Sequence, residues 1–272
     1  MKNVLLRIQY DGTNYHGWQR QKNAITVQGR IENAVKEVTH KFSEVVGCSR
    51  TDAGVHGFDY VCNFLTDSRI PSNKFSKVLN VVLPEDISVI ESFEVDLKFN
   101  SRFCVTKKTY SYRIWNSFMC NPFLRKYSLK IPKKMNILNM KTAASFFIGT
   151  HDFVSFMSSH GQQLTTERTI YDCFVVFERS KEIKNGLFKS ETNCFEPYLI
   201  EIKICANSYL YNMVRIIVGT LIEVGRGKIA PELIKSILIA KNRDLAGPTA
   251  PPHGLFLEKV FVDFSKFSRE KN

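Results

Sequence analysis

Paired cysteines are the first thing this chain lacks. Its seven cysteines, at positions 48, 62, 104, 120, 173, 194 and 205, are odd in number and include no Cys-x-x-Cys, which fits neither a disulfide framework nor a zinc knuckle. They read as buried thiols of a reducing compartment. Cys48, His56 and Cys62 match no tetrahedral ligand template, so we expect no metal and no organic cofactor. Long hydrophobic runs are missing too, because Asn212 and Arg215 interrupt the most apolar stretch before it reaches membrane-span length. The first residues pass straight into strand-like Val4 to Tyr10, without the apolar core and small-residue cleavage site of a signal peptide. The expectation is a cytoplasmic protein with no membrane partner.

Acid is scarce relative to base. Twenty-six Asp and Glu stand against 38 Lys and Arg, a net charge of +12, which attracts a polyanion and holds it by releasing counterions from its phosphates. With 44% hydrophobic residues over 272 positions, the chain can build one large core or two of ordinary size.

Val4 to Tyr10 reads as a strand ended by Asp11-Gly12, and Val27, Ile31, Ala34, Val35 and Val38 recur at helical spacing behind a Thr26 cap. A short strand follows from Glu44 to Cys48, then an alternating strand from Phe58 to Leu65. Phe75, Val78, Leu79 and Val82 suit a helix, and Ile87 to Val95 a strand. The second half runs strand Thr106 to Trp115, helix Asn136 to Ile148 stopped by Gly149, and strands Ile170 to Glu178 and Tyr198 to Cys205. A helix from Tyr209 to Val224, a short helix after Pro231 and a last strand from Leu255 to Val262 complete it. The fold class is α+β, with two ferredoxin-like β-α-β-β-α-β halves dividing the chain into 1–104 and 105–272. Ser155 to Thr169 reads as a polar substrate-contacting arm, and Lys181 to Phe195 as an exposed hairpin tip.

The run Gly47-Cys48-Ser49-Arg50-Thr51-Asp52-Ala53-Gly54-Val55-His56-Gly57 puts a carboxylate two positions after a guanidinium, in a loop between strand-like stretches where chemistry often sits. Taken alone, Asp52 is also a turn residue that bonds its own backbone. Arg215, alone, is an arginine snorkelling from an apolar helix, although buried without an acidic partner it would be costly. Tyr110, Tyr112 and Ile114 would be one buried strand face.

Arg50 to His56 resembles the signature loop of the tRNA pseudouridine synthase A family. Tyr10-Asp11-Gly12-Thr13-Asn14-Tyr15-His16-Gly17-Trp18-Gln19-Arg20-Gln21 is similar to that family's opening motif, and Thr26-Val27-Gln28-Gly29 to the segment after it. Phe99 to Phe103, Lys108 to Tyr112, His151 to Phe156, Met213 to Leu221 and the closing Thr249 to Leu255 follow in the family's order. The family loop more often reads Gly-Ala-Gly-Arg where this chain has Gly47-Cys48-Ser49-Arg50.

The resemblance implies two halves sharing a central antiparallel sheet with a cleft, a homodimer, and isomerisation of uridines 38–40 in the tRNA anticodon stem-loop. It makes Asp52 the nucleophile, attacking either the ring C6 or the ribose carbon, with Arg215 favouring its ionised form. Tyr110 is the base-stacking and proton-relaying phenol, with Tyr112 as the alternative bearer. Arg50, Arg20, Arg102 and Arg168 would hold phosphates, and His56 would contact or wedge the RNA as the uridine is extruded. Two other readings compete: a non-catalytic RNA-binding protein with aromatic stacking platforms, and a cysteine hydrolase using Cys48 with His56.

Overall fold

The computed structural model describes residues 1–158, 165–179 and 197–264, so Lys181 to Phe195 and the middle of the Ser155 to Thr169 arm lie outside the described residues. The chain mixes helices with mostly antiparallel strands and divides into two compact units. The first takes Met1–Lys108 and the residues from Phe256 onward; the second takes Thr109–Leu255.

In the first unit, strand β1 (Lys2–Tyr10) runs through the middle because Val4, Leu5, Leu6 and Ile8 are apolar on both faces and all are buried. Fully burying one such side chain is worth about 1.5–3 kcal/mol, which makes this strand a main source of the unit's cohesion. It pairs antiparallel with β3 (His56–Thr66) on one side and β4 (Ile87–Val95) on the other. Helix α1 (Val27–Thr39) starts where the Thr26 hydroxyl accepts the Gly29 N–H, the capping expected of a Thr at that position. It buries Val27, Ile31, Ala34 and Val35 and ends at His40, with φ 57°. The expected strand at 44–48 is only Val46–Gly47 (β2), paired with Asn63 and Cys62 of β3. Helix α2 (Phe75–Val82) follows. The chain's last strand, β10 (Leu255–Val262), pairs in parallel with β3 through Phe256 and Leu257.

In the second unit the sheet order is β5 (Val105–Asn116), β9 (Tyr198–Ala206), β8 (Glu167–Arg179) and β7 (Gly149–Asp152), with β6 (Leu129–Ile131) parallel to β5. The first four residues of β5 belong to the first unit. Helix α3 (Ile137–Ser145) is capped by the Asn136 side chain on the Asn139 N–H. Helix α4 (Met213–Gly225) is buried at every position but Arg215. Its start falls four residues later than Tyr209 because Asn212 adopts φ 60°, outside the right-handed helix region. Helix α5 (Leu233–Ala240) follows Pro231. No helix among the described residues is long and apolar enough to cross a membrane.

Candidate functional site

The two N-terminal motifs, some forty residues apart in sequence, are packed on each other within the first unit. The Trp18 N–H donates to the Thr51 carbonyl at 3.1 Å, and the Gly54 N–H to the Tyr15 carbonyl at 3.2 Å. Gly17, at φ 84°, sits so close that a Cβ there would lie 2.5 Å from the Thr51 oxygen; a glycine is what lets the two backbones approach. Tyr10 and Thr51 share a hydroxyl hydrogen bond of 2.9 Å. Beneath the loop, Tyr60 stacks on Trp18 with centroids 4.0 Å apart, and its hydroxyl bonds the Ser49 carbonyl. The opening motif is thus a cradle for the signature loop, and it holds Asp52 half-buried on a fixed main chain.

Lys108 adds a support from β5. Its ammonium lies 3.5 Å from the Cys48 carbonyl and 3.4 Å from the Ser49 hydroxyl. Burial lowers its pKa from the ordinary lysine value, with the nearby Cys48 opposing the shift.

His56 is 2% exposed. Its Nδ1 accepts the Gly12 N–H at 3.1 Å, Asp11 Oδ1 lies 3.1 Å from the same nitrogen, and the ring stacks on Phe256 at 4.6 Å. In this arrangement the imidazole ties the opening motif to the foot of the loop. Arg50 is exposed beside Asp52. Arg20 is also exposed but forms an ion pair with the buried Glu32 at 3.1 Å and lies over the Phe42 ring. Arg102 is exposed over Phe103.

The other predicted residues lie in the second unit. Tyr110 is 6% exposed and meets Tyr209 edge to face, with centroids 5.0 Å apart. Tyr112 is fully buried, its hydroxyl donating to the Pro251 carbonyl at 2.8 Å. Burial raises that hydroxyl's pKa, with Arg215's charge opposing. Arg215 projects from the first turn of α4. Its Nε donates to the Ala250 carbonyl at 2.7 Å and its Nη1 to Asn212 Oδ1 at 2.9 Å, while the Ala250 N–H returns a bond to the Arg215 carbonyl at 3.0 Å. Residues 247–250 reach α4 this closely because Gly219 has no side chain: a Cβ there would be 1.7 Å from the Pro248 oxygen. The closing motif is therefore a strap that aims Arg215. Arg168, in β8, lies opposite His151 of β7 and donates from Nη1 to the carbonyls of Thr165 and Glu167.

The bonds of the cradle run to the main chain on either side of Asp52. The cysteine alternative fits poorly, since burial pushes the Cys48 thiol up to about 11 and the thiolate is the reactive form. Of the cysteines expected to be buried, Cys120 is exposed and Cys104 and Cys205 are half-buried. Among the described residues no group of three or more His, Cys, Asp and Glu is placed to hold a metal ion. A groove of about 460 Å³ in the first unit lies toward the far end of β3 from the loop, lined by Asn63, Phe64 and Phe99, and takes in none of the candidate residues.

Sequence motifs identify the loop but not its cradle. Gly12 and Gly17, His56 against Asp11, and the strap on Gly219 carry a signal only once the motifs are known to touch. A model of the tRNA pseudouridine synthase family matches residues 7–104 and 143–263. The chain is 45% identical over 261 residues to tRNA pseudouridine synthase A of Clostridium kluyveri, covering 96% of this chain and 100% of that one. It is 46% identical over 261 residues, with the same coverage, to the protein of that name from Acetivibrio thermocellus. It is 45% identical over 260 residues to the one from Thermoanaerobacter sp. strain X514, covering 96% and 99%.

Proposed function

The chain belongs to the tRNA pseudouridine synthase family, and on that basis we propose that it isomerises uridines 38–40 of the tRNA anticodon stem-loop with Asp52 as nucleophile. The observation that carries the role of Asp52 is the cradle, whose bonds from Trp18 and to Tyr15 run through the main chain of Thr51 and Gly54 and fix the loop on either side of the carboxylate. The reaction breaks the bond from ribose C1′ to N1 of the uracil, turns the base and forms a bond from C1′ to C5; the C5 proton is released and N1 takes up one in exchange. No electrons are exchanged, so a carboxylate nucleophile and a proton acceptor suffice. Attack splits one difficult displacement into two easier steps.

Arg215 supplies the positive charge that favours an ionised carboxylate. Tyr110 offers a flat ring to the extruded uracil and a phenol to take or relay the C5 proton. Arg50, Arg20, Arg102 and Arg168 serve phosphates, and His56 acts on the RNA through the loop it anchors. The element order β1-α1-β2-β3-α2-β4 and the strand order β4-β1-β3 in the first unit, with β2 beside β3 off that path, support reading the N-terminal half as ferredoxin-like; by likeness to the family the C-terminal half is read the same way. By likeness to the family the enzyme works as a cytoplasmic homodimer.

The test is tritium release from tRNA carrying uridine labelled at C5, comparing the native protein with Asp52→Ala at matched folding. Release by the native protein, lost in the variant by a factor on the order of 10⁴ or more while tRNA still binds, is the expected result. Release that survives in Asp52→Ala overturns the assignment of the nucleophile. Binding without any release from the native protein favours the non-catalytic RNA-binding reading.

A further inference from the structure

The chain's positive charge is unevenly spread. No Asp or Glu occurs between Asp96 and Asp152, while eleven Lys and Arg fall in that interval. Five of them, Arg125, Lys126, Lys130, Lys133 and Lys134, crowd the connection that leaves β5, passes through β6 and enters α3, and all five are exposed. The same connection holds out two aromatic rings, Phe123 at 85% and Phe118 at 65% exposure. Large exposed aromatics beside cations are the composition of a nucleic-acid surface, in which rings stack on bases and cations neutralise phosphates.

The connection is built to present them. The Trp115 indole N–H donates to the Met119 carbonyl at 3.0 Å, the Ser117 N–H to Ile131 at 3.1 Å, and the Tyr127 N–H and Ser128 hydroxyl both to Leu124, each at 2.9 Å. Asn116 bonds the carbonyls of Ile131 and Lys133, both at 2.7 Å. A loop tied down in this way loses little further freedom when its rings meet a partner, which lowers the ordering cost of binding. Along β5, six residues separate Tyr110 from Asn116, roughly 20 Å at the rise of a strand. The connection is therefore set well apart from Tyr110.

We propose that residues 117–134 form a second RNA-contacting surface, which grips tRNA phosphates through its cations and stacks Phe118 and Phe123 on exposed bases. The proposal rests on tRNA being the substrate. A second copy of this chain is a poorer occupant, because a two-fold contact would bring the same acid-free cluster against itself.

Two variants test it, Lys133→Gln/Lys134→Gln and Phe118→Ser/Phe123→Ser, each measured for affinity toward full-length tRNA across a salt series, for steady-state tritium release and for sedimentation. The lysine pair is expected to weaken tRNA binding about tenfold and to reduce the salt slope by about two, near 0.9 for each phosphate no longer neutralised. KM should rise in step, with kcat within about twofold. The phenylalanine pair is expected to weaken binding by a similar factor with the salt slope unchanged, since stacking releases no counterions. Unchanged affinity and slope in both variants overturn the proposal, as does loss of self-association by the phenylalanine variant with tRNA affinity retained. If the native protein binds tRNA and releases no tritium, the catalytic reading fails, while weaker binding by the variants still upholds this surface.

Discussion

Asp52 rides on a loop fastened through its main chain, by the Trp18 N–H on Thr51 and the Gly54 N–H on Tyr15, whereas Arg215 is fastened through its own guanidinium, on Ala250 and Asn212. Both devices rely on a glycine at a close crossing of two backbones, but they put different atoms to use. Main-chain fastening sets where a side chain starts. Guanidinium fastening sets where a charge sits, and makes the site depend on that one side chain's shape. The loop should therefore tolerate a conservative change next to Asp52, while Arg215 should not tolerate one at its own position.

Among substitutions that leave Asp52 in place, the largest effects should come from the glycines. In Gly219→Ala the added carbon, 1.7 Å from the Pro248 oxygen, must push the strap off α4 and carry Arg215's acceptor with it. Overpacking of this kind costs about 1–3 kcal/mol, a fall in Tm of roughly 2–4 °C per kcal/mol for a chain of this size. The displaced guanidinium should lower kcat by on the order of 10²-fold. Gly17→Ala faces both the 2.5 Å approach to the Thr51 oxygen and its own positive φ, the latter worth about 1–2 kcal/mol, and should lower kcat comparably. Thermal melts and single-turnover tritium release read both. Native kcat in either variant would show that the corresponding crossing does not set the geometry.

A smaller effect separates the two devices directly. Arg215→Lys keeps the charge but has no planar fork to reach Ala250 and Asn212 together, so kcat should fall by about 10- to 100-fold with KM little changed. Thr51→Ser, adjacent to Asp52, keeps the hydroxyl that meets Tyr10 at 2.9 Å and should stay within about twofold of native. Equal sensitivity of the two sites in steady-state assays would erase the distinction.

How much of this was legible in the sequence depends on distance along the chain. Thr26 and Asn136 cap their helices, as their residue types imply, because capping is local. β1, β3 and β4 fall close to their expected residues because each carries a long apolar signal. β6 and β7, of three and four residues, leave no pattern in the sequence since neither is long enough to show alternation. The strand expected at 44–48 is two residues long, Val46–Gly47 against Asn63 and Cys62, with one further bond from the Cys48 N–H to the Val61 carbonyl. Parallel pairing of β10 with β3 joins residues about two hundred apart, and no local pattern encodes it. The same holds for the site. Its motifs are visible, but the packing of His56 against Asp11 and Gly12 is a placement that a one-dimensional motif does not contain.

Lys108 divides the two devices most finely, since it supports the signature loop by a side chain and so borrows the second device for the first region. Lys108→Met should lower kcat by less than about tenfold, because the Trp18 and Tyr15 bonds still hold the loop; contacts of 3.4 and 3.5 Å are weak ones. Its signature is in pH. Burial depresses the lysine's pKa below the unfolded value near 10.5, so between the two values the unfolded chain binds more protons than the folded one. In that window stability rises with pH. The native protein should thus gain stability relative to Lys108→Met as pH climbs through the depressed pKa toward 10.5, and the difference should be flat at lower pH, where the ammonium is charged in both states. Urea melts of the two proteins at matched pH values read this directly. A difference that stays flat throughout, or that runs the other way, would mean that the ammonium is solvated in the folded protein and that the main chain alone holds the loop.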